Sequence, residues 1–395
     1  MTICVAGMGL VSAAGAGAAE TVECFSAARR NAGPVSLFET DIECPVYEVA
    51  NLSARYFPER LRTLNLCVAA LDDALASSDG LSRAELKGKH IGVAMGTTVG
   101  SILNDLDFYR EYRRKGKGSM VAVDDYLHGN LAGVVHSLLA TQGPSVTVAN
   151  ACTSGADAIG MALSWIKAGL CEMVIAGGSD EINQVPLSGF HSLGILSESL
   201  CAPFDRDRDG LNLGEGAAVL ILESEKSARA RRSSPRALIG GYGTSNDANH
   251  LTAPDSQGQG LERAVRMAFK DAAIGPEEVA FINAHGTATP DNDVVEGLVF
   301  ERLFGDQVKF LSTKGYTGHT LGAAGVLEAS FCILGLEQEW IPRSVGFCEE
   351  DPRIGISPVK ERTPIDGRVA LSTSLGFGGG DAALVIERPG ADSRA

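Results

Sequence analysis

Positive charge is scarce in this sequence. Across 395 residues, 34 lysines and arginines face 49 aspartates and glutamates, a formal net of −15. A general binder of nucleic acid or of anionic membrane needs a cationic face, so both classes are set aside, although a local basic patch remains open. Paired cysteine motifs are absent too. The nine cysteines, Cys4, Cys24, Cys44, Cys67, Cys152, Cys171, Cys201, Cys332 and Cys348, are odd in number, widely spaced and without a CxxC pair. That pattern argues against a disulfide framework and against a zinc site, so no metal is expected. Most of these thiols read as small buried hydrophobes in a reducing, cytoplasmic compartment. No apolar run reaches 18 uninterrupted residues, which excludes an obvious membrane span. The N-terminal stretch MTICVAGMGLVSAAGAG is apolar but has no positively charged n-region, and Gly7, Gly9, Gly15 and Gly17 interrupt it. It reads as a strand entering a glycine turn rather than as a signal peptide.

What is present is an alternation. Short apolar runs, TICVAG, HIGVAMG, SVTVAN, EMVIAGG, VAFINA, VKFLST and RVALSTS, read as buried strands. Between them lie helical patterns over 64–76, 124–140, 154–168, 260–273, 291–304 and 321–336. Strands alternating with helices predict an α/β fold with sheets covered on both faces. The charged, Ser- and Pro-containing stretch ARARRSSPRALIGG is the best internal boundary, dividing the chain into 1–235 and 236–395. Across it, SVTVANACTSGADAIGMALSWIKAG and VKFLSTKGYTGHTLGAAGVLEASFCILG share one pattern of strand, small-residue turn and helix. Two similar halves meeting at one site are expected. The C-terminal RPGADSRA reads as a frayed tail.

One dinucleotide-like motif is a decoy. Gly7-x-Gly9-x-x-Ser12 follows a strand, but the third glycine is missing, and no acidic residue ends a second strand about 20 residues on.

Cys152 stands where a strand gives way to a helix. That turn places a thiol near unpaired N–H groups at the positive end of the helix dipole, which favours thiolate and offers an oxyanion site. A small buried cysteine would read the same way on this segment alone. His285 and His319 sharpen the choice. Each follows a strand and precedes a helix, in FINAHGTATPDNDVVE and FLSTKGYTGHTLGAAG, and Lys314 sits at the strand end beside the second. Ligand sites of open α/β sheets collect at such corners. His90, His128, His136, His191 and His250 lack that context and read as structural or exposed.

Taken in order, GPSVTVANACTSGADAIG, PFDRDRDGLNLGEGA, NAHGTATPDNDVVE, STKGYTGHTLGAAGVLEA and GFGGGDAAL resemble the motifs of elongating β-ketoacyl-acyl-carrier-protein synthases, in the thiolase superfamily. The resemblance covers nearly the whole chain. It implies a thiolase-like fold of two halves with a five-layered αβαβα core, and usually a homodimer. By the same resemblance Cys152 matches the acyl-accepting nucleophile, His285 and His319 the histidine pair, Lys314 the active-site lysine and Glu328 the glutamate behind it. Phe377 resembles the aromatic gate, and the N–H groups of Cys152 and Phe377 an oxyanion hole. Asp293 and Glu296 match supporting acids. The implied reaction is acyl transfer to Cys152, then decarboxylative condensation with malonyl-acyl-carrier protein, with no cofactor. A soft nucleophile suits thioester storage, and two histidine N–H groups suit an enolate oxygen.

An acidic carrier protein would need a basic patch here. The candidates are Arg60 and Arg62, and the run YREYRRKGK with Arg113, Arg114, Lys115 and Lys117. The chain departs from the family at Leu211-Asn212, where phenylalanine and valine are usual, and at Gly380-Asp381, where Thr-Asn is usual. The segment between GILSES and PFD is also shorter. These departures fall near the gate and acyl pocket and point to a specialised pathway. Two rivals remain: a thiolase or initiating synthase using coenzyme A thioesters, and a pocket-shaping subunit of a heteromeric synthase.

Overall fold

The computed structural model describes residues 2–100 and 105–390. The tail beyond Gly390 lies outside the described residues, as do the side chains of Ala122, Tyr126 and His128. Ten strands form one continuous hydrogen-bonded path. They are β1 (Ile3–Ser12), β2 (Gly92–Gly96), β3 (Ser145–Val148), β4 (Met173–Asp180), β5 (Gly216–Ser224), β6 (Ala237–Asn246), β7 (Val279–Asn283), β8 (Phe310–Leu311), β9 (Val369–Gly376) and β10 (Gly380–Glu387). Their spatial order is β3-β2-β4-β5-β1-β6-β10-β9-β7-β8. Each strand of the first half thus has a counterpart five places on, in mirrored position. In both halves the outer three strands are parallel and the inner two antiparallel. The halves join where Ile3–Val5 pairs with Ala237–Ile239.

Six helices build the layers: α1 (Arg62–Ala76), α2 (Leu131–Leu139), α3 (Ser154–Lys167), α4 (Gln259–Ala272), α5 (Pro290–Phe304) and α6 (Ala324–Gln338). Between the two halves of the sheet, α3 and α6 pack on each other and on strands of both halves. The outer faces are covered by α1, lying on β1 and β5, and by α4, lying on β6 and β10. The result is a five-layered αβαβα, thiolase-like fold. Strands buried on both faces explain why β1 and β4 read as continuous apolar runs. The central helices approach closely because their starts are glycine and alanine. A Cβ on Gly155 would meet Gly322 O at 2.8 Å, and one on Gly325 would meet Ala156 N at 2.7 Å. The segment Leu321–Gln338 has the length and composition of a membrane span, but 89% of it is buried inside the fold.

Four expectations are corrected. The N-terminal strand is not broken at Gly7 and Gly9; it runs through them to Ser12 and turns back only there, where Gly15 (φ +149°) pairs with Ser12. Gly7 and Gly9 admit α1, since a Cβ on Gly9 would stand 2.1 Å from Ala70 O. The helix expected over 124–140 is two, Val121–His128 and Leu131–Leu139: the first ends at Gly129, and Asn130 caps the second, accepting from Gly133 N at 2.9 Å. SVTVAN is not buried but half-exposed, because β3 is the end strand of the sheet. VKFLST pairs only at Phe310–Leu311 before the chain turns into a short helix, Lys314–Thr317.

Candidate active site

Two corners of the same construction face each other. After β3, a 3₁₀ turn over Ala151–Thr153 leads into α3; after His319, a 3₁₀ turn over Leu321–Ala323 leads into α6. Ala151 (φ +48°) and Leu321 (φ +55°) both sit in the left-handed region. Non-glycine residues there cost roughly 1–2 kcal/mol each, a strain that persists where surrounding contacts enforce it. At the first corner Ser154 Oγ donates to Ala151 O (2.6 Å) and accepts from Asn150 N (2.8 Å). The turn thrusts Cys152 toward the second corner.

There Cys152 Sγ lies 3.1 Å from His319 Nε2. The His285 and His319 rings are 5.2 Å apart, nearly perpendicular. The surroundings determine both tautomers. The Leu321 N–H donates to His319 Nδ1 (3.1 Å), and the Lys314 ammonium donates to His285 Nδ1 (3.2 Å). Each Nδ1 is an acceptor, so each neutral ring carries its proton on Nε2. Burial holds both histidines well below the usual imidazole range, and the Lys314 charge pushes the same way. They are neutral N–H donors at any ordinary pH.

Lys314, 2% exposed, also donates to His285 O (2.6 Å) and pairs with Glu328 Oε1. Burial lifts Glu328 to about 7 against the pull of that lysine. The helix start does not leave Cys152 as a thiolate. Burial pushes the thiol up to about 11, outweighing Lys314 and the Phe377 N–H, which act in the opposite direction. Sγ, Nε2 and the neighbouring ring nitrogen lie within 4.8 Å of one another, a cluster able in principle to ligate a metal. The buried ammonium beside both rings opposes a cation there.

The supporting acids hold backbone. Glu296 accepts from His285 N (2.8 Å), Gly286 N (2.6 Å) and Thr373 Oγ1 (2.9 Å). Burial raises it to about 7. Asp293 accepts from Phe204 N (2.6 Å) and Ala288 N (3.2 Å), with buried Arg208 at 3.7 Å. Phe377 stacks on Phe190 (centroids 5.6 Å apart), and Phe190 in turn meets His319 edge-on.

Two residues escaped sequence reasoning. Phe190 is one. The other is Asp180 at the end of β4, fully buried, which accepts from Thr97 Oγ1, Thr98 N, Val99 N and Gly100 N, and from Gly322 N beside the second corner. Thr98 Oγ1 then donates to Ala151 O (2.9 Å), so one carboxylate links both corners. An aspartate closing an apolar strand was the available signal.

A cleft opens on Cys152, His285, His319 and Phe377. Of the departures, Leu211 and Asp381 line it. Asn212 works behind it: its side chain ties down Ser199 O (2.8 Å) and Cys201 N (2.8 Å), and its carbonyl accepts from His319 N (2.8 Å). The basic candidates divide. Arg113, Arg114, Lys115 and Lys117 are exposed on and after the helix Leu106–Lys115. Arg60 is half-exposed and paired with Asp125 (2.6 Å). Arg62 is corrected: it turns inward and forks onto buried Glu215, so it leaves the candidate surface.

A cysteine opposed by two neutral Nε2–H donors, on a thiolase-like fold, defines a condensing-enzyme site. The β-ketoacyl synthase N-terminal domain family matches residues 2–228, and the C-terminal domain family matches 236–348. The chain belongs to the β-ketoacyl synthase family. It is 36% identical over 310 residues to 3-oxoacyl-[acyl-carrier-protein] synthase 2 of Staphylococcus aureus (strain COL), 75% of each chain. It is 31% identical over 408 residues to the protein of that name in Synechocystis sp., 98% of each. Among solved structures, the ishigamide ketosynthase/chain length factor superposes with a TM-score of 0.93 at 30% identity, covering 98% of this chain and 99% of that one.

Proposed function

We propose that this chain is an elongating β-ketoacyl-acyl-carrier-protein synthase, holding an acyl chain on Cys152 and extending it by decarboxylative condensation. The observation that carries the reading is the pair of enforced Nε2–H tautomers beside Cys152 Sγ. In the first half-reaction the Cys152 sulfur attacks an acyl thioester, and its proton leaves with the carrier thiol. In the second, a malonyl thioester loses CO₂, and its carbonyl oxygen becomes an enolate held by the two Nε2–H donors. The enolate carbon attacks acyl-Cys152. The new oxyanion is received by the Cys152 and Phe377 N–H groups, and its collapse expels the sulfur as thiolate, which takes up a proton from solvent.

His319 stands where a thiolase site would use a second cysteine as base, which favours decarboxylation over thiolase chemistry. The intact Cys152 speaks against a purely pocket-shaping subunit. The topology supports two halves, 1–235 and 236–395, each supplying one corner. The half-exposed end strand β3 supports pairing with a second copy, or with a related subunit of the chain-length-factor kind named in the ishigamide structure. The acidic carrier fits the exposed Arg113–Lys117 stretch, and the cytoplasm is the compartment proposed. Leu211 and Asp381 in the cleft support a specialised acyl substrate.

A ladder of acyl-carrier proteins, read by intact mass, should add one acyl group to the wild type and none to Cys152→Ala. An adduct persisting in the variant would refute the assignment, and turnover without a malonyl donor would favour the thiolase reading.

A further inference from the structure

Asp381 stands where the resemblance places asparagine, and the cleft wall is built around that difference. Phe377 rides on a tight turn whose Gly378 (φ +86°) and Gly379 (φ +80°) are left-handed. This turn is fastened to the segment after β6. The Gly378 N–H donates to Leu251 O (2.7 Å), the Asp247 N–H to Gly379 O (2.8 Å) and Asn246 Nδ2 to Gly378 O (3.0 Å). Asp381, the second residue of β10, is 1% exposed and pairs in register with Leu375 on the other side of the turn.

Its carboxyl lies close to another. Asp247 Oδ1 and Asp381 Oδ2 both lie 2.2 Å from the point a Gly260 Cβ would occupy, so the two groups face each other across the start of α4. Asp247 Oδ1 accepts from Gly260 N (3.2 Å), and Ser245 Oγ reaches Asp381 Oδ2 only at 3.5 Å. The nearby cation, Arg263 of α4, gives its guanidinium to Asn246 O (3.0 Å). From α5, Glu296 adds a third negative influence. Two carboxylates this close, one of them buried, do not both ionise at low cost.

We propose that Asp381, facing Asp247, holds a proton that latches the Phe377 turn, and that losing this proton to solvent sets the two carboxylates against each other, loosens the turn and unseats the aromatic gate over Cys152. The consequence for turnover rests on the condensing reading above; the latch itself does not. Burial, then Asp247, raise Asp381 to about 8, while Arg263 and Ser245 oppose them. The latch is therefore closed at neutral pH and releases as pH climbs past that value. An asparagine at 381 would make the same contacts without titrating.

Hydrogen exchange of the peptide carrying residues 375–384, in the full chain and corrected for intrinsic rates, tests this at pH 7 and pH 9. Protection should fall roughly tenfold in the wild type, the scale of one partly screened like-charge contact. It should stay constant in Asp381→Asn and in Asp247→Asn. An equal fall in Asp381→Asn, or no fall in the wild type, overturns the latch. Intact-mass acylation of Cys152 on the same samples separates the two readings. Exchange behaving as expected without an acyl adduct would leave the latch standing and sink the condensing function.

Discussion

Lys314 is one residue with three partners, and each does separate work. Its proton on His285 Nδ1 fixes that ring's tautomer, its bond to His285 O fixes the strand end, and its charge balances Glu328. Lys314→Met should therefore do more than slow the enzyme. With the cation gone, both histidines rise from their depressed pKa, although burial, and for His285 the neighbouring His319, still oppose protonation. A proton on His319 Nδ1 would confront the Leu321 N–H and turn the ring. Malonyl decarboxylation should fall about 10²-fold at pH 7, the cost of losing one aligned donor. It should also gain an acid limb that the wild type lacks, since the loss of the cation moves both histidines upward. A flat profile in the variant would show that Lys314 does not tune the pair. Cys152, His285, His319 and Lys314 were legible in sequence because each marks a strand-to-helix corner. Asp180 and Phe190 were not, because their partners lie far off in the chain and only the fold brings them near.

Elements tell a similar story. Most strands and helices follow from apolar periodicity, and the repeat of strand, turn and helix foretold the paired corners. Sequence cannot distinguish a glycine that turns the chain from one that lets a helix approach. Gly7 and Gly9 were read as a turn, yet they lie inside β1 beneath α1. Gly9→Ala must push the Ala70 carbonyl and the Ala74 amide aside, since its Cβ would lie 2.1 and 2.3 Å from them. Overpacking of this kind costs about 1–3 kcal/mol. Urea unfolding should show a lower midpoint with an unchanged slope. Gly33→Ala, whose Cβ meets nothing within 4 Å, is the matched control and should leave the midpoint in place. Equal midpoints for the two variants would mean that β1 and α1 part easily.

For the whole molecule the question is how a chain of net charge −15 receives an acidic carrier. Long-range repulsion between two acidic proteins is screened beyond about 8–10 Å at physiological salt, so a local cationic face can dominate the encounter. The helix Leu106–Lys115 and its C-terminal extension provide one. Arg110 bonds Gln184, Arg113 lies over Tyr109 and Lys115 pairs with Glu111, so this face is organised while its outer charges stay exposed. Sequence showed the basic run but could not separate it from Arg62, which has the same charge and points inward to Glu215. Reversing Arg113, Arg114 and Lys115 to glutamate should lower kcat/KM for carrier-bound substrates by about tenfold or more and flatten its dependence on salt, because steering acts on association. Short thioester mimics do not need docking, so their turnover should be unchanged. Equal loss on both substrates would place the defect in folding or in the cleft and remove this helix from the docking surface.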